Sequence, residues 1–80
     1  MEERKLTFGE TLVGKSFNPG GNPQVDRVKE LCAEVADILD AEYRKRNIAS
    51  SPMALTLFNH AIGEVLNAQM SVVKVLTLPV

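Results

Sequence analysis

The chain has 80 residues, 45% of them hydrophobic, and nine Lys and Arg stand against ten Asp and Glu for a formal charge of −1. So short a chain buries little core by itself and ordinarily needs disulfides, metal or self-association, and a single cysteine, Cys32, excludes an internal disulfide or a Cys-rich zinc site. The balanced charge argues against a general DNA- or RNA-polymer binder. No apolar run follows the opening Met-Glu-Glu-Arg-Lys, so no secretion signal is expected. The expected setting is a reducing cytoplasm, with Cys32 as a small apolar core residue and oligomerisation supplying the missing stability.

Residues 1–21 read as an irregular arm. Leu6, Phe8, Leu12, Val13 and Phe17 are apolar anchors scattered between Gly9, Gly14 and polar residues. Such an arm folds only by lying against something else, and the pattern leaves a short strand or a helical turn equally open. The run 17–23, Phe-Asn-Pro-Gly-Gly-Asn-Pro, then sets the start of the first helix. Asn22 is a good N-cap and Pro23 suits the first helical position, where a missing donor costs nothing. Gly20 and Gly21 can take the left-handed conformations of a turn. A helix start of this kind presents free N–H groups and the positive end of the dipole, which favour anions.

The helix is expected over 23–46. Val25, Val28, Cys32, Val35, Leu39 and Tyr43 recur at steps of three and four, and Leu31, Ala36 and Ile38 broaden that stripe. Asp26 and Glu30 near its start and Arg44, Lys45 and Arg46 near its end suit the macrodipole. Ser51-Pro52 repeats the cap-and-proline signal after a short connection, so a second helix is expected over 52–76, with Pro79 discouraging extension. The fold class is therefore all-α: an antiparallel two-helix hairpin over 22–80 behind the irregular arm, assembled into a homo-oligomer. The oligomer follows from the second helix. Its polar residues Thr56, His60, Gly63, Asn67, Ser71 and Lys74 form one narrow stripe, and most of the remaining circumference is apolar. One partner helix cannot cover so much, and a membrane span is disfavoured by Asn59, His60, Glu64, Asn67, Gln69 and Lys74.

No catalytic set stands out. His60 is the only histidine, which leaves no histidine-based metal cluster within one chain, and no P-loop or G-x-G-x-x-G is present. No metal or cofactor is expected, nor an enzyme. Binding features are better represented. Lys15, Arg27 and Lys29 bracket the 17–23 run and Phe17 adds a ring, the parts that hold a phosphate and stack a base. Towards the other end Asn67, Gln69, Ser71, Lys74 and Thr77 place amides, hydroxyls and a cation on an apolar helix. Those amides can read base edges or, equally, bond between helices and fix register.

The pattern Phe8-Gly9-Glu10, Val13-Gly14, Phe17-Asn18-Pro19, Val25-Asp26, Lys29 and Ala33, continued by Ala61-Ile62, Leu66-Asn67-Ala68-Gln69-Met70, Val73-Lys74 and Thr77, covers roughly 8–77. It resembles the helical-hairpin domain of the phage anti-CBASS and Thoeris anti-defence cyclic-nucleotide sponges. The resemblance implies a non-enzymatic oligomer, a hexamer in well-described members of that family, in the cytoplasm of an infected bacterium. Such a protein sequesters cyclic dinucleotides, cyclic trinucleotides or cyclic ADP-ribose isomers without cleaving them. It implies one pocket at Lys15, Phe17, Asn18, Pro19 and Arg27, and a second set, Gln69, Met70, Lys74 and Thr77, facing ligand or another protomer. Ser71 stands where relatives carry an aromatic and Gly20 where they carry serine, so a stacking surface is missing and the ligand stays open. The alternative reading is a small helical adaptor or assembly protein whose partner is another protein.

Overall fold

The computed structural model describes residues 5–18 and 20–79. Three α-helices follow in order: α1 (Phe8–Val13), α2 (Pro23–Lys45) and α3 (Pro52–Leu76), with a 3-10 turn at Ile48–Ser50 between the last two. The all-α class holds, and the described residues contain no strand.

Both long helices start at the expected caps. The Asn22 side chain accepts from the Gln24 N–H at 2.9 Å, and the Ser51 hydroxyl accepts from the Ala54 N–H at 3.3 Å, each ahead of a proline in the first turn. α2 ends one residue earlier than expected and α3 ends at Leu76 as expected. Asn47, left-handed at φ 52°, reverses the chain, and the rings of Tyr43 and Phe58 meet at 4.7 Å across the turn end of the hairpin. At the open end the Asn22 amide donates to the Leu76 carbonyl at 3.4 Å, so α2 and α3 run antiparallel over their full length. No helix among the described residues is long and apolar enough to cross a membrane.

The irregular arm is corrected. Residues 8–13 are a helix, opened by a reciprocal pair: the Thr7 hydroxyl accepts from the Glu10 N–H at 3.1 Å, and the Glu10 carboxylate accepts from the Thr7 N–H at 2.9 Å. Left-handed Gly14 closes it. Thr7-x-x-Glu10 followed by glycine is a legible helix signature, and the scattered apolar residues around it concealed the signal.

α1 crosses α2 at contact distance because Gly9 has no side chain. A Cβ built there would lie 2.1 Å from the Ala33 carbonyl oxygen. The Gly9 N–H, unpartnered within its own first turn, donates to the Asp37 carboxylate of α2 at 2.6 Å. α2 therefore carries helices on two faces, and its buried side is rotated from the predicted stripe. Val25, Ala33 and Ala36 are buried, whereas Val35, Leu31 and Ile38 are exposed. Val28, Cys32, Leu39 and Tyr43 are half-buried, Tyr43 against Phe58 of α3. The polar stripe of α3, from Thr56 to Lys74, faces solvent throughout as the spacing predicts.

Gly9→Ala tests the crossing. The methyl group meets backbone, which cannot rotate away, so overpacking should cost about 1–3 kcal/mol in urea unfolding. Gly20→Ala, with nothing within 4 Å of its added Cβ, should leave the midpoint unchanged.

Candidate ligand-binding site

The antiparallel hairpin brings the first turn of α2 beside the last turn of α3, and the segment after α1 folds over both. Asn18 fastens that segment. Its amide donates to the Asn22 carbonyl at 2.9 Å and to the Asp26 carboxylate at 2.8 Å. The Phe17 N–H donates to the Gly14 carbonyl at 2.9 Å and the Gly21 N–H to the Asn18 carbonyl at 3.0 Å, making two successive turns. Of the two loop glycines only Gly21 takes a positive φ, 63°.

Between these parts lies a cleft of about 200 Å³, lined by Phe17, Asn18, Asn22, Val25, Lys29, Val73 and Thr77 among others. Its floor is apolar, from Val25 and Val73. Lys29 rises from the face of α2 next to α1 and is 5% exposed. The ammonium donates to the Gly14 carbonyl at 3.1 Å and to the Phe17 carbonyl, and it sits 5.5 Å from the centroid of the Phe17 ring. Carbonyl dipoles and the ring face stabilise the cation there, and no carboxylate among the described residues pairs with it. Phe17 is 71% exposed, its ring open to the cleft.

The predicted residues are distributed differently. Phe17 and Asn18 of the front set meet Thr77, the one member of the back set at this cleft, at the open end of the hairpin. Lys15 lies outside it and pairs with Glu10 at 2.7 Å. Arg27 lies outside it too and pairs with Glu30 one turn along α2. Gln69 is buried in the chain's own packing, while Met70 and Lys74 are exposed elsewhere on α3. Thr77 turns its hydroxyl back to the Val73 and Lys74 carbonyls at 2.9 and 3.3 Å. Pro19 lies outside the described residues. Asp26 stands in the first turn of α2 and bonds Asn18, so a carboxylate already answers the dipole at that helix start. Positive potential in the cleft rests on Lys29 instead. Sequence reading placed Lys29 beside the loop without choosing it; its i+4 spacing from buried Val25 is the signal that puts it on the inner side.

A second cleft, about 450 Å³, opens at the turn end between Leu39, Ile48, Ala54, Leu57, Phe58 and Ala61, with Arg46 at its edge. Cys32 is half-buried on α2, and burial pushes its thiol up from the ordinary value. Among the described residues no group of three His, Cys, Asp or Glu could hold a metal ion. Compared with known proteins, the chain matches no family model, no curated protein and no solved structure.

Two measurements check this geometry. Lys29→Met should speed amide exchange across 14–21, because the ammonium no longer ties the Gly14 and Phe17 carbonyls, and should leave 52–66 protected as in the wild type. Iodoacetamide should modify Cys32 more slowly at pH 7 than a free thiol, with a rate that rises through a midpoint above the usual value of about 8.5.

Proposed function

We propose that the chain is a non-enzymatic receptor that binds a cyclic nucleotide signal and withdraws it from its effector, in the manner of the phage anti-defence sponges its sequence resembles. The observation that supports this best is the cleft itself, where a buried ammonium lacking a carboxylate lies beneath an exposed aromatic ring. A ring face stacks a base, and an ammonium in a water-poor cleft attracts a phosphate. An ammonium carries three donors, of which the Gly14 and Phe17 carbonyls take two. The reading asks nothing of the chain beyond binding. Withdrawal needs only affinity and abundance, and it would act in the cytoplasm of the infected host.

The cleft is small beside a cyclic dinucleotide, so the ligand would extend past its rim. A second copy of the chain would supply the remaining contacts, and Lys15, Arg27, Met70 and Lys74, exposed around or beyond the cleft, would reach ligand in that setting. The adaptor reading draws support from a different observation, the exposed apolar side chains of α2 and α3.

Isothermal titration with a panel of cyclic di- and trinucleotides and cyclic ADP-ribose isomers tests the proposal. Binding with recovery of intact ligand after denaturation is the expected result, and the absence of heat with every ligand would sink it. Phe17→Ala should weaken binding by roughly 5- to 150-fold, the range of one lost base stack, with thermal unfolding unchanged. Lys15→Ala and Arg27→Ala should weaken it less.

A further inference from the structure

We propose that the face of the α2–α3 layer opposite α1 packs against the same face of a second copy of this chain. The inference rests on the reading that the chain works as an assembly and names the surface that makes it.

The side chains fix the face. α2 meets α1 through Lys29, Ala33 and Asp37 and meets α3 through Val25, Leu39 and Tyr43. At about 100° per residue, Leu31, Val35 and Ile38 then point away from α1. On α3, Phe58 and Val73 face α2, which places Leu57, Val72 and Val75 to one side of the helix. Because α3 runs antiparallel to α2, the right-handed helical sense puts that side level with Leu31, Val35 and Ile38. These six side chains are 43–66% exposed. The 450 Å³ cleft, with Leu39, Leu57 and Ala61 in its wall, opens on the same side. Of the remaining exposed large apolar residues, Met53 stands one turn before Leu57 at the border of this face, and Leu6, Phe8, Phe17, Met70 and Leu78 are spread over the rest of the chain.

Surface area argues for what covers it. The chain exposes 6121 Å², whereas a folded monomer of this mass exposes roughly 4,800 Å², an excess of about 1,300 Å². A standard interface takes about 800 Å² from each partner, so one such contact on this face fits within the excess. Among the described residues the buried hydrophobic ones are only Val13, Val25, Ala33 and Ala36, and no large side chain is fully buried. A chain so poor in core needs its cover whenever it is folded. A second copy is the one partner always present at matching concentration, and an apolar face that finds no equal elsewhere on the chain pairs with itself about a two-fold axis.

Sedimentation and hydroxyl-radical footprinting of the wild-type protein test this together. The expected result is a mass at least twice 8.8 kDa, with Ile38 and Leu57 labelled severalfold less than Leu6, an aliphatic side chain exposed away from this face. Ile38→Glu should lower the mass, and His60→Glu, on the solvent stripe of α3, should not. A monomer at every concentration would overturn the assembly itself. An assembly in which Ile38 and Leu57 label as strongly as Leu6 would overturn this face and leave self-association standing. The footprint needs no variant to fold, and neither measurement depends on a nucleotide being bound.

Discussion

The contact of Gly9 with the backbone of Ala33 is the constraint on which the cleft depends. Two helices approach this closely only where one presents no side chain, and the Gly9 N–H uses the approach to reach Asp37 at 2.6 Å. With α1 seated there, its closing residue Gly14 and the following Phe17 turn their carbonyls onto Lys29. Moving α1 outward by the width of a methyl group would carry both carbonyls with it. A packing detail at the start of α1 therefore sets the electrostatics at the other end of the segment.

Lys29 illustrates how a small protein keeps a charge inside. Burying an ammonium is expensive unless its donors are satisfied. Here two carbonyl dipoles and an aromatic face supply that satisfaction without cancelling the charge. A carboxylate partner would have neutralised the cleft. Carbonyls leave it positive, and Asp26, held by Asn18 at the first turn of α2, stays engaged with the helix start. This division of roles is what makes the cleft a candidate for an anionic, aromatic ligand.

The architecture is thin as well as small. The principal extents are 46 × 38 × 13 Å, and helices pack about 8–10 Å apart, so the protein is at most two helices deep. Small residues at the α1–α2 crossing buy close approach, yet bury little area. The larger apolar side chains lie on the opposite side of α2 and along α3, half-covered or bare. One layer of the fold is thus well fitted internally, and the other is shaped to be completed from outside.

Much of this protein follows from its sequence alone, and the reason is locality. Caps, prolines and periodicity act within a few residues, so Asn22-Pro23, Ser51-Pro52 and the apolar spacing placed both long helices almost to the residue and set the solvent stripe of α3. Thr7-x-x-Glu10 and Gly14 encoded α1 just as locally, hidden by the irregular apolar pattern around them. What only the tertiary structure decided is which faces are covered. The crossing at Gly9 depends on a backbone 24 residues further along, and it turned Lys29 and Ala33 inward while leaving Val35 and Ile38 outside. The meeting of Phe17 with Thr77 depends on the hairpin closing over its whole length. Neither distance is written in a local pattern, because packing between remote segments, rather than propensity, fixes it.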